Sequence, residues 1–175
     1  MTQIDYALLF WLQDHVVSAG LTPVMKAFTA LGNGGVLWIV LCLLLLCFKK
    51  TRAAGAAGLV ALICVHLLNN LLIKGLVARP RPFYGVDIDL LIAAPGGWSF
   101  PSGHASTGFA AATAIFLKDK RVGIPALAAA ALIAFSRLYF FVHFPSDVCV
   151  GAIEGILAAV IIVKVGGAVK KRIRR

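Results

Sequence analysis

Long apolar runs, most of them followed by a cluster of basic residues, dominate this sequence. The hydrophobic fraction is 61% and the charged fraction 14%, whereas a soluble domain carries roughly a quarter charged residues. A helix of about 20 apolar residues is long enough to cross a bilayer. The sequence therefore predicts an all-α, polytopic transmembrane helical bundle of five to six spans. The runs occupy residues 29–48, 53–77, 102–117, 122–142 and 148–163.

The N-terminal segment decides between five and six spans. Its apolar stretch from Ile4 to Val17 is short for a span, contains Asp5, and carries aromatic residues suited to the membrane interface. Two interpretations stay open: an interfacial helix followed by a second short helix, or one broken span. The N-terminus lacks a basic region and a small-residue cleavage site, so no removable signal peptide is expected. The predicted parts of a single domain over 1–175 are short N-terminal helices (1–31), a transmembrane core (32–165) and a basic tail (166–175).

The net charge of +10 follows membrane topology. Most Lys and Arg residues cluster where apolar runs end, which is how the positive-inside rule marks cytoplasmic loops. No basic stripe is interleaved with aromatic residues, so no nucleic-acid partner is expected. These features predict a multi-pass protein of the plasma membrane with a cytoplasmic C-terminal tail. The clustered residues are Lys49, Lys50, Arg52, Lys118, Lys120, Arg121, Lys164, Lys170, Lys171, Arg172, Arg174 and Arg175.

Three polar residues interrupt the second apolar run: His66, Asn69 and Asn70. Polar side chains within a membrane helix usually face the bundle, where they form hydrogen bonds or line a functional site. We favour hydrogen bonds between helices over catalysis for these three residues.

The remaining cations break the positive-inside pattern. They are Lys26, Lys74, Arg79, Arg81 and Arg137, and all but Lys26 lie near outer helix ends. A dehydrated cation at a membrane edge is unfavourable unless an anionic ligand offsets it. Lys74 and Arg81 are seven residues apart and share a helix face, if the helix continues that far. Together with Arg137, they match the non-bridging oxygens of a phosphoryl group.

A second polar segment, Pro101-Ser102-Gly103-His104, precedes an apolar run. Ser102 suits an N-cap or a first helical turn, and Gly103 lets a backbone N–H group approach a ligand closely. Helix N-termini bind phosphate through free N–H groups and the helix dipole. His104 would then lie over the bound anion, where it can donate a proton.

A third segment contains His143 and Asp147, four residues apart. The carboxylate can accept a hydrogen bond from one imidazole nitrogen, which leaves the other nitrogen free to attack. With the cations and His104, this pair predicts phosphoryl transfer through a phosphohistidine. The alternative is a metal site with both histidines and Asp147 as ligands. We disfavour it because three nearby cations would repel a divalent ion, so neither a metal nor a cofactor is expected.

These segments resemble the three signature motifs of the type 2 phosphatidic acid phosphatase (PAP2) superfamily. The matching residues are Lys74-x6-Arg81-Pro82, Pro101-Ser102-Gly103-His104 and Ser136-Arg137-x5-His143-x3-Asp147, complete and in order. Arg79-Pro80 imitates the Arg-Pro pair but lacks the family spacing from Lys74, so we assign the motif to Arg81 and set Arg79 aside.

The resemblance implies a metal-independent membrane phosphatase with a helical bundle core. Soluble haloperoxidase relatives hold vanadate in the same site, but the apolar spans argue against that branch. The implied roles are phosphate binding for Lys74, Arg81 and Arg137 with help from Ser102 and Gly103, nucleophilic attack for His143, orientation of His143 for Asp147, and general acid catalysis for His104.

The expected activity is hydrolysis of a lipid phosphate or diphosphate at the outer, extracytoplasmic face of the plasma membrane. Undecaprenyl diphosphate, or broad lipid-phosphate specificity, is the favoured substrate assignment. Phosphatidylglycerophosphate, phosphatidic acid and lipid A are the alternatives. A non-hydrolytic protein that binds or transports lipid phosphates is the alternative of another class, and transfer to an acceptor other than water stays open. No oligomeric state is predicted.

Overall fold

The computed structural model describes residues 2–173, and the regular structure within them is helical. This confirms the predicted all-α class. Arg174 and Arg175, at the end of the predicted basic tail, lie outside the described residues. The helices are α1 (Thr2–His15), α2 (Thr22–Gly32), α3 (Val36–Cys47), α4 (Arg52–Leu68), α5 (Lys74–Val77), α6 (Gly103–Lys118), α7 (Lys120–Tyr139) and α8 (Pro145–Ile173).

Four helical stretches in residues 2–173 are long and apolar enough to cross a membrane, namely Thr22–Cys47, Arg52–Gly85, Lys120–Tyr139 and Pro145–Val169. The helix α1 is not among them, since it has only 14 residues. Nor is α6, which has 16 residues and is almost completely enclosed by other helices. The first stretch joins α2 and α3 through a 3-10 turn, where Gly34 and Gly35 have φ of 59° and 70°.

The centre of the bundle is α6, which packs against α4, α7 and α8. Small residues allow these helices to approach closely. A Cβ atom added to Gly151 of α8 would lie only 2.8 Å from the carbonyl oxygen of Ser102. One added to Gly155 would overlap the carbonyl oxygen of Ser106. The helix that begins at the second polar segment is therefore held tightly against α8.

A π-helical turn, Asn69–Ile73, joins α4 to α5. Within it, Nδ2 of Asn69 donates to Oγ of Ser106 on α6, 2.9 Å away, as the sequence predicted for this residue. The prediction is wrong for His66 and Asn70, which contact each other one turn apart on an exposed face. Among residues 2–173, both side chains bond along their own helix and neither bonds to another helix.

The predicted motifs meet at one end of the bundle. The α5 helix stops at Val77, because Ala78 adopts a left-handed conformation with φ of 45°, and the chain then turns over this end. The basic clusters after α3 and after α6 lie at the opposite end. The amphipathic α1 packs across the motif end, where Leu9 is buried against Phe141 and Phe144. One end of the bundle thus holds the polar site and the other the basic loops.

Candidate active site

His143 lies in the tight turn between α7 and α8. The turn contains Phe141 at φ of 56°, a conformation that a bulky residue rarely adopts. His143 is 2% exposed and Asp147 is fully buried. Nδ1 of the imidazole lies 3.6 Å from Oδ2 of Asp147. The carboxylate therefore faces Nδ1, as the spacing predicted, at a distance slightly longer than a direct hydrogen bond.

The opposite edge of the imidazole identifies the tautomer. Nη1 of Arg81 lies 3.2 Å from Nε2 of His143. A guanidinium group has no acceptor, so Nε2 must accept and the imidazole proton must lie on Nδ1, towards Asp147. The lone pair of Nε2 thus points into the cation cluster, which is the orientation that a nucleophile needs.

The electrostatics keep this imidazole neutral. Burial, with smaller contributions from the charges of Arg81 and Arg137, lowers the pKa of His143 to about 4 against the opposing effect of Asp147. At neutral pH the nucleophilic lone pair is therefore not blocked by a proton.

Arg81 and Arg137 are buried guanidinium groups, 5% and 3% exposed. Arg81 donates to the carbonyl oxygens of Gly96, Gly97 and Val142. Arg137 donates from Nη1 to Oγ1 of Thr29, while its Nε has no partner among residues 2–173. Neither guanidinium pairs with a carboxylate within those residues. Buried charges of this kind favour an anion between them.

The start of α6 supplies the third side of the cluster. Ser102 is the N-cap residue, but its hydroxyl does not cap the helix. It is fully buried, and its Oγ has no partner among the described residues. A Cβ atom on Gly103 would lie 3.9 Å from Nζ of Lys74. The ammonium group and the free N–H groups of α6 therefore meet above the helix start, as the sequence predicted.

His104 faces a different partner from His143. Its Nε2 lies 3.1 Å from Oδ1 of Asn33, which can only accept, so the imidazole donates there. His104 borders a cavity of about 210 Å³ that is also lined by Lys74 and Gly103. A second cavity of about 550 Å³ is lined by Arg137 and Thr29. The two histidines therefore flank the cation cluster with different neighbours.

Arg79, set aside as a look-alike, contacts the site directly. Its Nη1 lies 2.6 Å from Oδ1 of Asp147, and its Nη2 lies 2.7 Å from Oδ2 of Asp5 on α1. The hydroxyl of Ser99 donates to the other oxygen of Asp147. Both oxygens of the carboxylate that faces His143 are thus engaged.

The structure brings together all eight residues predicted for the site: Lys74, Arg81, Ser102, Gly103, His104, Arg137, His143 and Asp147. Besides Arg79, sequence reasoning missed four contributors, namely Asp5, Thr29, Asn33 and Ser99. Only Asp5 carried a signal, as a carboxylate within an apolar stretch. Within residues 2–173, no three His, Cys, Asp or Glu side chains are grouped to hold a metal ion.

The chain is similar to known proteins in both sequence and fold. Residues 53–171 match the PAP2 superfamily. The undecaprenyl-diphosphatase of Sulfolobus acidocaldarius is 34% identical, over 84% of this chain and 71% of the relative. The decaprenylphosphoryl-5-phosphoribose phosphatase of Mycobacterium tuberculosis is 32% identical, over 98% and 95%.

Two crystal structures share the fold. LpxE of Aquifex aeolicus is 30% identical, with a TM-score of 0.78 over 92% of this chain and 95% of the other. The PAP2-type phosphatidylglycerolphosphate phosphatase of Bacillus subtilis is 26% identical, with a TM-score of 0.75 over 95% and 86%.

Proposed function

Because the chain belongs to the PAP2 superfamily and is a multi-pass membrane phosphatase, we propose that it hydrolyses a polyprenyl diphosphate or a related lipid phosphate through a phosphohistidine on His143. One observation carries the proposal. Two buried guanidinium groups, neither of which has a carboxylate partner in the described part of the chain, lie beside an imidazole whose lone pair points towards them.

The first step forms the phosphoenzyme. Nε2 of His143 attacks the terminal phosphorus while its Nδ1 proton stays towards Asp147. The bond from phosphorus to the bridging oxygen breaks, and His104, in the imidazolium form that the bound phosphate anion favours, donates a proton to that oxygen and becomes neutral. Lys74, Arg81 and Arg137 balance the charge of the transferring group, as is usual in phosphoryl transfer.

The second step releases inorganic phosphate. Water attacks the phosphorus of the phosphohistidine and gives a proton to His104, which lost one in the first step. The nitrogen–phosphorus bond breaks, and its electron pair returns to Nε2 of His143. Both histidines regain their initial states, and no further reactant is required.

The proposed substrate class is a polyprenyl lipid whose terminal phosphate is removed, with undecaprenyl diphosphate first. Two relatives named above act on polyprenyl substrates, an undecaprenyl diphosphate and a decaprenylphosphoryl-5-phosphoribose. Phosphatidylglycerophosphate, phosphatidic acid and lipid A are the competing substrates.

The test is a phosphate-release panel with purified protein in detergent and EDTA. It compares undecaprenyl diphosphate with decaprenylphosphoryl-5-phosphoribose, phosphatidylglycerophosphate, phosphatidic acid and lipid A by kcat/KM. Undecaprenyl diphosphate should rank first, and EDTA should leave the rate unchanged. Replacement of His143 by Ala should abolish release, whereas Lys120→Ala, at an exposed position on α7, is the matched control. Full activity of His143→Ala would refute the mechanism, and loss of activity with EDTA would refute its metal independence.

We also propose that the site faces the extracytoplasmic side, because the basic clusters lie at the other end of the bundle. In a variant without native cysteines, Asp87→Cys should react with a membrane-impermeant maleimide in intact cells. Lys120→Cys should react only after lysis. The reverse pattern would contradict the proposed orientation.

A further inference from the structure

Arg79 bridges two carboxylates that come from opposite ends of the sequence. Its guanidinium donates to Oδ1 of Asp147 at 2.6 Å and to Oδ2 of Asp5 at 2.7 Å. It also donates to Oγ of Ser146 at 2.7 Å and lies 3.9 Å above the ring of Phe144. Both terminal nitrogens of the planar guanidinium group, Nη1 and Nη2, are therefore engaged.

The arrangement differs from that of the phosphate-facing cations. Arg81 and Arg137 have no carboxylate partner within residues 2–173, whereas Arg79 has two. A phosphate placed against Arg79 would be repelled by both carboxylates. Its task is therefore unlike that of the neighbouring guanidinium groups.

We infer that Arg79, held in place by Asp5, is a positioning residue that fixes Asp147 so that one carboxylate oxygen faces Nδ1 of His143. Arg79 engages Oδ1, whereas Ser99 and the backbone N–H of Phe144 both donate to Oδ2. With both oxygens held by charge-assisted bonds, the carboxylate cannot rotate away from the imidazole. This inference rests on the proposed role of His143.

Asp5 makes the amphipathic α1 helix part of this support. It is 4% exposed and accepts bonds from the backbone N–H and the hydroxyl of Ser146 as well as from Arg79. Burial acts to raise the pKa of Asp5, but the bonds from Ser146 and Arg79 outweigh it and hold the pKa below its usual value. Asp5 is therefore a carboxylate at neutral pH and anchors Arg79 with a full charge.

The test separates the charge of Arg79 from its geometry. The charged or titratable groups around His143 are Asp147 from α8, Arg137 from α7, His104 from α6, and Arg81 from the connection. Loss of Arg79 removes a nearby positive charge and leaves the negative charge of Asp147 uncompensated. Both changes raise the pKa of His143, so protonation blocks the nucleophile at a higher pH.

In Arg79→Ala, kcat should therefore fall by about 100-fold, the size expected when a catalytic group is displaced by about 1 Å. The acidic limb of the kcat/KM profile should move up by about one pH unit. Arg79→Lys keeps the charge but not the fork, so kcat should fall while the limb stays near its wild-type position. Arg121→Ala, exposed on α7, is the matched control.

Asp5→Asn should lower kcat without moving the acidic limb upward, because it removes a negative charge and so does not favour the protonated imidazole. In the Arg79→Ala background, Asp5→Asn should add almost nothing, since the two residues act through one contact. Asp14→Asn, exposed on α1, is the control. Size-exclusion chromatography in detergent confirms that each variant is folded.

Three results would overturn the inference: an unshifted acidic limb in Arg79→Ala, a change confined to KM, or additive losses in the double variant. His143→Ala separates this failure from failure of the proposed function. If His143→Ala is inactive and Arg79→Ala has an unshifted limb, only the positioning role is wrong. If His143→Ala is active, the proposed function itself is wrong.

Discussion

Nη1 of Arg81 lies 3.2 Å from Nε2 of His143, on the edge of the imidazole opposite the one that faces Asp147. The same guanidinium donates to the carbonyl oxygens of Gly96, Gly97 and Val142. One side chain thus joins the long connection, the turn before α8 and the nucleophile. Because the guanidinium contacts the proposed attacking atom itself, the proposed mechanism would bring phosphate recognition and attack to one point.

The tautomer and pKa of His143 can be measured directly. With pKa lowered to about 4, mainly by burial, the imidazole should stay neutral with its proton on Nδ1 from pH 5 to 8. Protonation should appear only as the pH falls towards 4. Nitrogen NMR of protein labelled at histidine in detergent measures both properties. His143→Ala identifies the resonance among the four histidines. A proton on Nε2, or a midpoint near 6.5, would contradict the predicted state.

His104→Ala should show a leaving-group dependence. A lipid alkoxide or phosphate leaving group needs the proton of a general acid, and its loss typically lowers the rate by about 10²–10⁴-fold. A nitrophenyl phosphate releases a stable anion, so the same variant should lose much less activity on that substrate. The ratio of the two kcat/KM values tests the role, and equal losses on both substrates would count against it. Asn33→Ala, which removes the hydrogen-bond partner of His104, should show a weaker form of the same pattern.

The site residues could be predicted from the sequence because they are charged or titratable, and such residues are rare in membrane helices. Cations at outer helix ends and a histidine four residues from a carboxylate stand out against apolar runs. The contacts of Thr29, Asn33 and Ser99 could not be foreseen, since short polar side chains near helix ends are common. Arg79 was set aside on spacing, but spacing along the chain cannot show that α1 brings Asp5 to it.

The fold was predicted less evenly than the site. Apolar length identified the spans, and the prolines around Arg81 correctly indicated that the helix stops before them. Length could not show that α6 is enclosed by its neighbours, because burial on all sides depends on how α4, α7 and α8 pack. It also could not distinguish His66 and Asn70, which lie on an exposed face, from Asn69, which bonds across to α6.

Arg81→Lys should strongly reduce activity, although the substitution retains the positive charge. A lysine has one ammonium group and cannot span the carbonyl oxygens of Gly96 and Val142 together with Nε2 of His143. Activity should fall by at least about 100-fold, as expected when a group that stabilises transition-state charge is lost. Hydrogen exchange of the connection over residues 86–98 should accelerate. If Arg81→Lys were active and hydrogen exchange of residues 86–98 were unchanged, the planar guanidinium group would not be required. Arg121→Lys, the same substitution at an exposed position on α7, is the control for altered cation type.

Gly155→Ala should separate the helices that hold the two halves of the site. A Cβ atom there would overlap the carbonyl oxygen of Ser106 and lie 2.8 Å from the backbone nitrogen of Ala110. Both contacts are with rigid backbone of α6, so α8 must move, which costs about 1–3 kcal/mol in an overpacked core. Thermal unfolding in detergent should show the loss of stability. The shift should also reduce kcat, because Gly103 and Asp147 lie at the starts of the two displaced helices.

Gly166→Ala, on the same helix, is the control. No atom lies within 4 Å of the added Cβ, so this variant should be neutral or slightly stabilising because alanine is the better helix former. Equal effects of the two substitutions would mean that α6 and α8 do not pack as closely as described.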